Sequence, residues 1–169
     1  MRRHLFVPAF VAAAALALVV TGTALARPAL AKWPPWLSIE APVNPFDPAT
    51  RDAVLLVHTM VREGTTKVTD LTGSAEGLVD GARKSVALRF DPTSAPGVYA
   101  VRRQWPASGT WVLRITLLRN TTALVTLGPS GDVAAVNVPT RTESDGMKIP
   151  RAVAAREVDS TLYAAARRQ

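Results

Sequence analysis

Apolar and polar positions alternate along most of this chain after residue 50. Val54, Leu56, His58 and Met60 interleave with Leu55, Val57, Thr59 and Val61. Both sets are largely apolar, so the pattern predicts a central strand covered on both faces, ended by Arg62-Glu63-Gly64. Leu71 to Val79 predicts a weaker strand, interrupted by Gly73 and Gly77. Asp80-Gly81 follows, and a D-G pair between alternating runs signals a hairpin because both turn residues must take φ > 0. From Lys84 to Phe90 the alternation is clean, with Val86, Leu88 and Phe90 inward and Ser85, Ala87 and Arg89 outward. Asp91-Pro92 and Ala95-Pro96-Gly97 form a turn-rich corner before a strand from Val98 to Arg103. Thr110 to Leu118 carries the clearest pattern: Trp111, Leu113, Ile115 and Leu117 on one side, Thr110, Arg114 and Thr116 on the other. Ala123–Leu127 and Val133–Val138 flank Gly128-Pro129-Ser130-Gly131-Asp132, a second hairpin. Short strands separated by Gly/Pro turns at this spacing predict an all-β sandwich spanning residues 36–140, with Trp111, Tyr99, Leu113, Ile115, Leu88 and Val57 in its core.

The two ends break the rhythm. Met1-Arg2-Arg3-His4 is followed by an apolar run from Leu5 and closed by Ala24-Leu25-Ala26, the basic, apolar and small-residue order of a secretory signal. Residues 1–26 are therefore read as a signal peptide, with Ala29-Leu30-Ala31 as a second cleavage point. The alternative is an uncleaved membrane anchor. Leu5 to Ala26 carries no charge over 22 residues, where roughly 20 suffice to span a bilayer, and the basic end would stay inside. Residues 27–35 form a Pro/Trp-rich linker around Trp33-Pro34-Pro35. Residues 141–169 are expected to hold a polar loop, set by the run Thr140 to Gly146, and a C-terminal helix. Asp159 or Ser160 would cap it and Arg167-Arg168 would close it, while Ala152 to Val158 is open between a helical turn and an edge strand. With Leu162, Ala165 and Ala166 as its narrow apolar stripe, that helix is expected to pack weakly or stand as an appendage.

Composition narrows the chemistry. The chain has no cysteine, which excludes disulfides, thiolate metal sites, a thiol nucleophile and lipoprotein anchoring. At 48% apolar and 20% charged it can build a core, and at 6% aromatic it lacks a stacking surface for single-stranded nucleic acid. The formal charge of +7 is dispersed in pairs such as Arg83-Lys84, Arg102-Arg103 and Arg167-Arg168. That dispersal reads as solvated strand edges and a helix end. Its functional counterpart is attraction to a membrane surface or an acidic envelope protein, with no nucleic acid partner.

The spacing Pro96-Gly97-Val98-Tyr99-Ala100-Val101, Trp105-Pro106 and Gly109-Thr110-Trp111-Val112-Leu113 resembles the closing half of YtkA-like domains. These are extracytoplasmic immunoglobulin-like sandwiches grouped with FixH-like proteins and, more loosely, CopC-type copper proteins. The resemblance covers about Trp36 to Leu118. It implies an immunoglobulin-like antiparallel fold; read physically, the same motif lets Gly97 enter the strand tightly and Tyr99 bury its ring while its hydroxyl reaches corner backbone.

Catalytic residues are not evident. His58 is the one histidine outside the signal and sits mid-strand, no G-x-S-x-G elbow occurs, and there is no phosphate-binding or dinucleotide fingerprint. Asn120-Thr121-Thr122 fits a glycosylation sequon and is read as a hairpin turn. The sequence therefore points to a non-catalytic exported binding or interaction module of the cell envelope, periplasmic, secreted or anchored. The alternative is a periplasmic copper-binding protein. His58 and Met60 stand at i and i+2 on one strand, so an imidazole and a thioether, a pair suited to Cu(I), share a face. The CopC-type pattern places a histidine near the mature N-terminus, where this chain has Arg27 or Lys32.

Overall fold

The computed structural model describes residues 35–60 and 70–168. The signal or anchor reading of residues 1–26, most of the linker and the Arg62-Glu63-Gly64 terminator lie outside them. Within them the chain forms eleven strands and one helix: β1 (Trp36–Glu40), β2 (Leu55–Met60), β3 (Leu71–Val79), β4 (Ala82–Ala87), β5 (Asp91–Pro92), β6 (Val98–Val101), β7 (Thr110–Leu117), β8 (Thr121–Leu127), β9 (Val133–Asn137), β10 (Thr140–Thr142), β11 (Lys148–Pro150) and α1 (Ala155–Ala166). The fold is mainly β and antiparallel, as the alternation predicts. One sheet runs β1-β2-β6-β5, the other β4-β3-β7-β8-β9, and β10 pairs with β11.

The two large sheets pack face to face. Leu55, Val57 and Val101 of the first sheet meet Ala75, Trp111, Leu113, Ile115, Val125 and Leu127 of the second, with Leu88 and Trp105 closing the interior and Tyr99 half-buried against it. Five of the six core residues expected from the sequence belong to this cluster; Tyr99, expected in the core, is only partly buried and packs against it. At the first hairpin Asp80 and Gly81 have φ of 51° and 76°, the geometry that their dipeptide signals. The two glycines of β3, read as interruptions, lie inside one continuous strand. A Cβ on Gly77 would come within 2.5 Å of the Trp111 ring, its register partner on β7. The missing side chain is thus the space the indole occupies.

The structure corrects four expectations. The doubly covered strand is not β2, which is buried from Leu55 to Val57 and then opens to solvent at Met60; β8 is buried along its whole length and β7 nearly so. The turn before β8 uses Leu118 and Arg119, both at positive φ (48° and 59°), and Thr121 and Thr122 of the sequon already belong to the strand. The polar loop after residue 140 is the β10–β11 hairpin.

Finally, the helix begins at Ala155, four residues before the earliest expected cap, and it is no appendage. Val158 and Leu162 are buried on Val112 and Leu124, the outer face of the five-stranded sheet, which is why β7 and β8 are covered on both sides. Its start is held by Glu157, whose Oε1 accepts the Ala154 N–H at 3.0 Å. The same carboxylate takes a two-pronged pair of hydrogen bonds from Arg151, at 3.0 and 2.5 Å.

Candidate functional site

Strand order places His58 and Met60 on the outer face of the four-stranded sheet. Leu55 and Val57 point into the inter-sheet core, so period-two geometry turns Leu56, His58 and Met60 outward. In the β1–β2 register Trp36 lies opposite Met60 and Ser38 opposite His58, which puts Trp36, Ser38 and Glu40 on the same face. The sequence expectation that His58 and Met60 share a face is met.

What the sequence reading missed is Glu40. Its Oε2 lies 2.7 Å from His58 Nε2, across a diagonal of the ladder and between two half-exposed side chains. No sequence signal could have paired residues 18 positions apart; the register of β1 on β2 does it. A side-chain hydrogen bond this exposed contributes at most about 1 kcal/mol, enough to orient the imidazole but not to build a site. Met60 is 50% exposed at the open end of the strand and Trp36 39% exposed beside it.

The fit of this face to copper can be tested on its donors. A tight Cu(I) site needs three or four soft or borderline donors converging on one point. Here the imidazole Nε2 is already taken by a carboxylate, and the thioether stands on an open sheet surface. Among the described residues no group of three or more His, Asp or Glu side chains is placed to hold a metal ion. The donor set does not fit a closed copper centre.

A second feature lies at the other end of the same sheet, in the segment 41–54 between β1 and β2. Phe46 is 91% exposed, yet the turn bearing it is tightly fastened. Asn44 Oδ1 accepts the Phe46 N–H at 3.0 Å, Asp47 Oδ1 accepts the Ala49 N–H at 3.0 Å, and the Thr50 hydroxyl donates to Asp47 Oδ2 at 2.8 Å. The Thr50 hydrogen bond, then that from Ala49, hold the Asp47 carboxyl below its ordinary value. Arg102 adds a hydrogen bond to the Ala49 carbonyl at 2.9 Å and an ion pair to Asp91 at 2.5 Å, tying the segment to β5 and β6. A shallow cleft of about 430 Å³ opens beside it, lined by Pro42, Val43, Arg51 and Val54 on one side and Ser130 and Asp132 on the other. The arrangement presents an exposed aromatic side chain on a fastened backbone turn, in the same segment that lines a mixed polar and apolar recess. An isolated Phe in a Pro-rich stretch carries no periodic signal, so no pattern in the sequence marks it.

No family model matches the chain, and neither the curated proteins nor the solved structures contain a significant match to it.

Proposed function

We propose that this chain is an exported, non-catalytic binding or interaction module of the cell envelope, built on an immunoglobulin-like sandwich of the YtkA-like kind. One observation carries the reading. A two-sheet antiparallel sandwich begins at Trp36, one short linker after a basic start, a long apolar run and an A-x-A step, the sequence order of an exported domain. The fastened turn that holds Phe46 in solvent supports a binding role, because with the backbone already ordered only the side-chain rotamers remain to be fixed on a partner. An envelope protein or the membrane surface is the partner class that fits a chain of net charge +7.

Fusing the full chain at its C-terminus to alkaline phosphatase and, separately, to green fluorescent protein tests the location. Active phosphatase with a dark fluorescent fusion is expected, since the first folds only outside the cytoplasm when carried by the general export route and the second does not fluoresce there. An inactive phosphatase with a bright fluorescent fusion would overturn the reading.

Copper handling through His58 and Met60 is the second reading, favoured only by their shared outer face. Titration of the protein with Cu(I) against a competing chelator is expected to reveal no tight stoichiometric ion. Submicromolar one-to-one binding, lost in His58→Ala and in Met60→Leu, would put metal handling first.

A further inference from the structure

The cleft of about 430 Å³ in the Phe46 segment is built from two separate stretches of chain, residues 41–54 between β1 and β2 and the turn between β8 and β9. Arg51 and Asp132 are its only charged lining residues, one from each stretch. Their charges are opposite, yet among the described residues neither enters an ion pair, with the other or elsewhere. Both walls are fastened by backbone. The Arg51 N–H donates to the Asp47 carbonyl and the Ala53 N–H to the Thr50 carbonyl, each at 2.8 Å. Opposite them the Gly128 N–H donates to the Asp132 carbonyl at 2.8 Å, and Arg103 Nη2 to the Ser130 carbonyl at 3.1 Å. The Ser130 hydroxyl donates to the Asp132 carboxylate, which keeps most of its acceptor capacity. The separation of the two charges is thus set before anything binds. Pro42, Val43, Val54 and Val133 make the rest of the lining mostly apolar, and the last two pack on the inter-sheet core. The volume lies at the low end for small-ligand sites, about 300–1,000 Å³.

We propose that this cleft binds short peptides with free termini, the carboxylate on Arg51, the ammonium on Asp132 and apolar side chains against the valines. The inference rests on the reading of this chain as a binding module and names a ligand for it. Charge complementarity selects the class. A simple anion would meet Asp132 as well as Arg51, and a simple cation the reverse. An uncharged apolar molecule would strip water from both charges without pairing either. A molecule with opposite charges at its two ends and an apolar body satisfies the whole lining, and a guanidinium can grip a terminal carboxylate by two hydrogen bonds. A free amino acid carries both charges on one carbon. Two or three residues, at about 3.3–3.6 Å each when extended, set them apart across the recess.

Titration calorimetry of the purified full chain in non-ionic detergent tests this with four probes: alanyl-leucine, its N-acetyl form, its C-terminal amide, and leucine. Alanyl-leucine is expected to bind one-to-one with a dissociation constant below about 1 mM. Each of the other three should bind about ten-fold more weakly or worse, since each loses one charged contact or the span between the two. Arg51→Gln should weaken alanyl-leucine to the level of its amide while the N-acetyl form still binds more weakly. Asp132→Asn should do the converse, and unchanged circular dichroism spectra would show that both variants fold. Absence of alanyl-leucine binding to the wild-type chain would overturn the proposal. So would equal binding of the blocked forms or of leucine, or both discriminations surviving in the two variants. Calorimetry on purified protein is independent of cellular location, so a failure here beside an active phosphatase fusion would remove the ligand and leave the export reading standing.

Discussion

Trp111 occupies its place because two other residues concede it. Gly77 leaves the space under the indole, and the Ser108 carbonyl accepts the Nε1–H at 2.9 Å, so a large ring with one polar atom is buried at 3% exposure with that atom satisfied. Truncation to Ala removes both packing and ring area. We expect Trp111→Ala to cost about 3–5 kcal/mol in urea unfolding, and Gly77→Val to destabilise as well, because its side chain has nowhere to go. A wild-type urea midpoint for Trp111→Ala would show the ring is not a core element. Alternation was enough to find Trp111, Leu113 and Ile115, since each repeats at period two on a long strand. It could not find their complements. Gly77 looked like a break because a missing side chain reads as weakness until the cross-strand neighbour is known. Glu40 could not be joined to His58 without the β1–β2 register, so of the candidate site the sequence showed the shared face and not the carboxylate that occupies it.

The start of α1 shows why an element's existence is easier to read than its boundary. Asp159 and Ser160 are preferred cap residues, whereas the actual N-cap is Ala154, which has no side chain to cap with. The free backbone donor is served from inside the helix by Glu157, and Glu157 is held by Arg151 at the end of the β10–β11 hairpin. That hairpin is invisible to the pattern because its first strand is exposed at every position and so shows no alternation. The hydrogen bonds from Arg151, followed by that from the Ala154 N–H, lower the Glu157 carboxyl from an ordinary 4.5 to about 2. A carboxyl whose value falls on folding stabilises the native state above its unfolded value, and that contribution is lost as the pH drops towards the folded one. Thermal melts between pH 5 and pH 2 should therefore show wild type above Glu157→Gln at the top of the range. The gap should close between about pH 4.5 and pH 2. A gap that stays constant across the window would mean that the Arg151 pairing does not anchor the helix.

At the scale of the molecule, one misplaced boundary changes the architecture. With Val158 left in an ambiguous segment, the stripe Leu162, Ala165 and Ala166 looked too narrow to hold a helix down. With Val158 included, the buried residues Val158, Leu162 and Ala165 fall at i, i+4 and i+7, a full helical face. That face lies on Val112 and Leu124, and α1 becomes a third layer over the sheet that carries β7 and β8. The charged links run the same way, Arg83 of β4 reaching Asp159 of α1 at 2.7 Å and Glu76 of β3 at 3.3 Å. Val112, Leu124, Val158 and Leu162 are each at most 3% exposed, and burying a Val or Leu side chain contributes about 1.5–3 kcal/mol. Their sum is comparable to the whole stability of an ordinary domain, about 5–15 kcal/mol. Deleting residues 155–169 from the full chain would strip the cover from Val112 and Leu124 and turn an inner strand pair into a wet apolar surface. The expected result is loss of cooperative urea unfolding, with binding of a hydrophobic dye to the exposed sheet. A truncated chain that unfolds cooperatively at the wild-type midpoint would reduce α1 to a decoration on a self-sufficient two-layer sandwich.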